Sequence, residues 1–100
     1  MILYNITVNI DHQIEQEWLQ WMKEVHIPEV MATNMFVENK VFKLLVEEEQ
    51  GTTYSFQYFA KSMKEIDQYQ SEFAPKLQQD HATKFHEKFV AFRSMLELVD

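Results

Sequence analysis

Cysteine is absent from this chain of 100 residues, which holds only one glycine and two prolines. Without Cys there is no disulfide scaffold, zinc ribbon, thiol nucleophile or iron–sulfur site. The lone Gly51 cannot build a phosphate-cradling loop. So little Gly and Pro also excludes collagen-like and linker-rich chains. Positive charge is scarce too: nine Lys and Arg stand against sixteen Asp and Glu, a formal charge of −7. Nucleic-acid binders need the opposite sign, so no nucleic-acid partner is expected. No apolar run is long enough to cross a bilayer, so no membrane partner is expected. The opening Ile2-Leu3-Tyr4-Asn5-Ile6 has no basic leader and no small-residue cleavage site, which points to a cytoplasmic protein.

Hydrophobic residues make up 46% of the chain and aromatics 14%, which excludes disorder. The length suits one domain over residues 1–100. A chain of this mass hides roughly two-thirds of its unfolded surface on folding, enough for a thin core.

From Ile2 to Ile10 the residues alternate, with Ile2, Tyr4, Ile6, Val8 and Ile10 on one face, which predicts a strand. Asp11 can cap the helix that follows. There Ile14, Trp18, Trp21, Met22 and Val25 share one side of a 3.6-residue period. Pro28 is expected to end or kink it. A second strand is expected over Met35 to Val46, with a bulge or bend where alternation stumbles at Glu38-Asn39-Lys40. Glu47-Glu48-Glu49-Gln50-Gly51 reads as a polar turn with Gly51 free to take a positive φ. A third strand alternates Tyr54, Phe56 and Tyr58 over Thr52 to Ala60. Ser62-Met63-Lys64-Glu65 is a capping box ahead of a helix carrying Ile66, Tyr69, Phe73 and Leu77. Pro75 kinks that helix or starts a second segment. A last strand, Lys88 to Val99, places Val90, Phe92, Leu96 and Leu98 on one face.

The order βαββαβ predicts a ferredoxin-like α+β fold: a four-stranded antiparallel sheet with both helices on one face. The uncharged first and third strands suit its centre, and the charged second and fourth its edges. Two helices cover one face only. With Tyr4, Ile6, Tyr54, Phe56, Phe92 and Leu96 beneath them, Leu3, Phe59, Phe89, Met95 and Val99 stay outside. Turning the sheet over leaves a larger aromatic patch outside. Either patch predicts a homodimer with two sheets face to face.

Three stretches carry a resemblance: Tyr4-Asn5-Ile6-Thr7-Val8-Asn9, Trp18-Leu19-Gln20-Trp21-Met22-Lys23-Glu24-Val25-His26-Ile27-Pro28, and Phe73-Ala74-Pro75 with Phe89-Val90-Ala91-Phe92-Arg93. Together they resemble a bacterial domain-of-unknown-function family of short proteins. That family is similar to the dimeric α+β barrel superfamily, which includes antibiotic-biosynthesis-type monooxygenases, haem-degrading enzymes and lactone isomerases. The resemblance implies ferredoxin-like subunits, a dimer, and a ligand held between sheet and helices. It implies no particular reaction.

The candidate ligand-pocket residues are Asn5, Trp21, His26, Tyr58 and His81. Trp18, Trp21 and Met22 either line a pocket for a flat ligand or form an aromatic core stripe. His26 either acts as a base or favours the negative end of its helix dipole. The resemblance to haem-degrading relatives implies a meeting of Asn5 with His81, although no Trp stands on the third strand; haem is the remote alternative. Thr7, Gln57 and Arg93, with Asn5 and Ser55, form a candidate polar lining on one sheet face, either interface or ligand site. His81 and His86 lie about 140° apart around a helix, so no metal is expected. The aromatic third strand superficially matches an RNA-recognition domain, but that motif's basic residue and glycine are missing. The expected function is a small-molecule-binding homodimer for an apolar or aromatic metabolite. It extends to a cofactor-independent enzyme of monooxygenase- or isomerase-like type, with no cofactor expected. The alternative is a structural or protein-interaction dimer without activity.

Overall fold

The computed structural model describes residues 1–46 and 50–100. Its elements are β1 (Ile2–Ile10), α1 (Glu15–Trp21), α2 (Ile27–Met31), β2 (Glu38–Lys43), β3 (Thr52–Ala60), α3 (Met63–Glu72), α4 (Ala74–Lys84) and β4 (Phe89–Glu97). The sheet runs β2-β3-β1-β4 and every pairing is antiparallel, with the uncharged strands β1 and β3 at its centre. This is the expected ferredoxin-like α+β arrangement. Asp11 accepts from the backbone N–H of Gln13 at 2.7 Å and starts the first helical layer through a short 3₁₀ turn. The Ser62 hydroxyl donates to the Glu65 carboxylate ahead of α3.

Helix α1 does not stop at Pro28. It passes through a wide π turn, Met22–His26, and continues as α2. Proline lacks an N–H, and its ring would strike the carbonyl four residues back. Widening the turn absorbs both effects, and the N–H of Ile27 reaches back to the carbonyl of Met22. At Pro75 the expectation holds: Phe73, at φ −120°, separates α3 from α4, and Pro75 sits in the first turn of α4.

Strand β2 is shorter than expected. No bulge occurs at Glu38-Asn39-Lys40, which pair in register with Phe59, Tyr58 and Gln57. Phe36, before the strand, turns inward and packs on Tyr4, Tyr58 and Tyr69. The proposed turn at Glu47-Glu48-Glu49 lies outside the described residues. Gly51 does not take a positive φ. It is buried, and a Cβ there would meet the Ile10 carbonyl oxygen at 2.5 Å. Close strand approach, not an unusual backbone angle, requires this glycine.

The buried core joins Tyr4, Val8 and Ile10 of β1 and Tyr54, Phe56 and Tyr58 of β3 to Trp18 and Ile66 from the helices. On β4 the expected grouping of residues is corrected. Register pairs Ile10 with Phe89, Val8 with Ala91, Ile6 with Arg93 and Tyr4 with Met95. Directly paired residues point to the same face, so Phe89 and Arg93 lie on the helix side. Phe92 and Leu96 lie outside with Leu3 and Phe59.

A candidate ligand cavity between sheet and helices

A cavity of about 280 Å³ lies between the sheet and the helices. Its floor is Tyr4, Ile6 and Val8 of β1, Phe56 and Tyr58 of β3, and Phe89, Ala91 and Arg93 of β4. Its roof is Met22 and His26 from the first helical layer and Tyr69, Gln78, His81 and Ala82 from the second. The π turn ends at His26, where that side chain meets the cavity.

The two histidines form one aromatic cluster. Their ring centroids are 5.9 Å apart, and His81 meets Phe89 edge-on at 4.3 Å. The indole N–H of Trp18, which is fully buried, donates to Nε2 of His81 at 2.9 Å. Indole nitrogen only donates, so Nε2 of His81 carries no proton and its neutral ring holds the proton on Nδ1. Burial, the neighbouring His26 and the Arg93 charge push the His81 pKa down to about 4. Burial dominates for His26 as well: its pKa falls to about 4, with Asp80 opposing the shift and Arg93 adding to it. Both rings are therefore neutral at pH 7. His81 is committed to Trp18, whereas His26 has no hydrogen-bond partner among the described residues.

The other end is phenolic and cationic. The Arg93 guanidinium, Gln78 and Gln70 surround the Tyr4 hydroxyl. Burial raises the Tyr4 pKa, and Arg93 partly offsets that rise. Burial also raises the pKa values of Tyr58 and Tyr69, keeping both phenols neutral. Tyr58 is 2% exposed, and its hydroxyl is the one buried side-chain polar atom without a hydrogen-bond partner among the described residues. Such a group costs about 1–3 kcal/mol when nothing satisfies it.

His26, Tyr58 and His81 therefore share the cavity. Asn5 does not join them. Strand alternation sends it to the opposite face, where it donates to Thr7 and Ser94 and accepts from Ser55. The pairing of Asn5 with His81 implied by haem-degrading relatives is therefore not formed, and Trp18 already occupies Nε2 of His81. Trp21 stands behind the histidines rather than on the cavity wall, stacked on His26 with centroids 5.4 Å apart at 28°. Thr7 and Gln57 belong to the outer polar cluster with Asn5 and Ser55. Arg93 does not, because register carries it to the inner face. Tyr4, Tyr69 and Gln78 were not among the expected pocket residues. Tyr4 shares the parity of Ile6 and Val8, but Gln78 shows no one-dimensional signal.

Comparison with solved structures places the fold among known relatives. A cofactor-independent oxygenase, SnoaB from Streptomyces nogalater, is 9% identical with a TM-score of 0.66, covering 99% of this chain and 94% of that one. A hydroxynitrile lyase from Passiflora edulis is 17% identical with a TM-score of 0.61, covering 99% and 96%. An EthD family protein from Bacillus halodurans is 14% identical with a TM-score of 0.67, covering 99% and 100%. At these identities the likeness is one of fold. No curated protein matches the chain. The family model described as domain of unknown function DUF4286 matches residues 1–99, and the chain belongs to that family.

Proposed function

We propose that this protein is a homodimer that binds a small apolar or aromatic metabolite in the sheet–helix cavity and acts on it without a resident cofactor. The supporting observation is the cavity itself. A structural dimer has no use for about 280 Å³ of space lined by neutral histidines and a phenol without a partner. Most of the lining is aromatic or aliphatic, the usual composition of a small-molecule site. The oxygenase and the lyase named above share this fold, which supports reading the cavity as a reaction chamber.

His26 is the residue assigned to proton chemistry. Its ring lines the cavity, and its nitrogens are not committed as the Nε2 of His81 is. With a pKa of about 4 it is a weak base in the empty cavity. A ligand whose proton is already acidic, such as a phenol or an activated carbon acid, suits it best.

The dimer rests on the outer sheet face. Phe42, Val90, Phe92 and Leu96 are exposed there, around the hydrogen-bonded cluster of Asn5, Thr7, Ser55 and Ser94. The molecule spans 38 × 30 Å in its two larger directions. A second copy meets the patch with its own equivalent, as a two-fold contact requires.

A thermal-shift screen against quinones, flavins, haemin and aromatic acids tests the ligand. At least one aromatic class is expected to raise the melting temperature, and Ala91→Leu, which fills the cavity from its floor, is expected to abolish the shift. Absence of any shift across the screen would refute the binding proposal. A shift that survives Ala91→Leu would place the ligand elsewhere.

A further inference from the structure

Arg93 is the one arginine of the chain, and it sits on the cavity wall of a protein with a net charge of −7. It lies on the edge strand β4, opposite Ile6, and is exposed while also lining the cavity. No carboxylate lies within salt-bridge distance of it among the described residues, whose ion pairs all involve other side chains. Asp80, the acid whose charge acts on His26, is held by Lys76 at 2.9 Å on the surface of α4. The cationic fork thus lines the cavity without an anion beside it among the described residues. Beside it stand the Tyr4 hydroxyl and Gln78. Tyr58, whose hydroxyl is unpartnered, is the direct cross-strand neighbour of Tyr4 and lines the same cavity. Ile6 and Phe56 share the cross-strand row of Arg93, and Val8 and Ala91 carry the floor on toward Phe89, against which His81 packs.

We infer that the ligand is an aromatic monocarboxylate, with its carboxylate held by Arg93 and its ring laid between Ile6 and Phe56 on the floor and Met22 on the roof. This deepens the proposal above and rests on it. A guanidinium presents parallel N–H groups that match the two oxygens of a carboxylate, and such charge-assisted pairs are the stronger hydrogen bonds. The phenols of Tyr4 and Tyr58 stay protonated and donate to the same anion. A neutral aromatic would leave the Arg93 charge without a counter-ion and the Tyr58 hydroxyl without an acceptor. In this pose the ring edge away from the carboxylate faces His26, where a substituent carrying an exchangeable proton finds an acceptor.

Isothermal titration with benzoate and 1-naphthoate, each against its neutral amide, tests the inference. The expected result is one site per chain, with each acid binding at least tenfold more tightly than its amide. Arg93→Gln, at an exposed edge position, is expected to remove that preference, so that acid and amide bind alike. Tyr58→Phe is expected to weaken acid binding severalfold while leaving the melting temperature equal or higher. Equal affinity for acid and amide, or an acid preference that survives Arg93→Gln, overturns the carboxylate assignment and leaves the apolar-ligand proposal standing. If neither acids nor amides bind, and the wider screen also shows no shift, both fall together.

Discussion

Acidification from about pH 7 to about pH 5.5 is expected to destabilise the fold through His26 and His81. An unfolded histidine takes up its proton near pH 6.5, whereas each of these rings, once folded, does so only near pH 4. Across that window the unfolded chain binds more protons, so stability falls as pH falls. The contribution is complete above about pH 6.5 and is lost progressively toward pH 4. Integrating the linkage from pH 7 to 5.5 gives about 1 kcal/mol for each ring, or about 2 kcal/mol for the pair. With the urea dependence usual for a small domain, the denaturation midpoint drops by about 1–2 M. Glu15, the carboxylate held by Thr52 and Tyr54, does not contribute there. Burial opposes its ionisation, but hydrogen bonds from Thr52 and Tyr54 prevail and hold its pKa below the ordinary value. Urea titrations followed by tryptophan fluorescence, at fixed protein concentration, measure the slope. His26→Gln should remove about half of it. A midpoint that stays level between pH 7 and 5.5, or a full slope retained in His26→Gln, would refute the assignment of two neutral buried histidines.

Three further outcomes follow from particular contacts. Trp18→Phe removes the donor to His81 and is expected to cost about 2 kcal/mol, read as a lower urea midpoint. It should also raise the His81 pKa above about 4 in an NMR titration, because Nε2 is then free to take a proton. Gly51→Ala drives a Cβ to 2.5 Å from the Ile10 carbonyl oxygen and 2.6 Å from Oδ1 of Asn9, for an expected loss of about 1–3 kcal/mol in thermal unfolding. Light scattering at micromolar concentration should report a dimer of the 12.1 kDa chain, and Phe92→Glu should yield the monomer mass with circular dichroism unchanged. A monomeric native protein would remove the homodimer.

Local patterns alone were enough to specify the elements and their order. Alternation marks β1 and β3, helical spacing marks the aromatic stripe of α1, and the charges on β2 and β4 mark the edges. These signals are legible because a strand or helix must bury one face, and that requirement is written at a period of two or 3.6 residues. The sequence also nominated His26, Tyr58 and His81, which the fold then brings to one cavity. What alternation could not decide is which face of one strand aligns with which face of another. A shift of one residue in register exchanges the two faces completely. That is why Arg93 stands inside while Phe92 and Leu96 stand outside, and why Asn5 and His81 lie on opposite sides of the sheet. The passage of α1 through Pro28 was likewise settled by tertiary packing, since a π turn costs little once both flanking segments are docked on the core. The bond from Trp18 to His81 and the unpartnered hydroxyl of Tyr58 exist only where distant elements meet. No local pattern could announce them, because each depends on how closely the helical layer lies over the sheet.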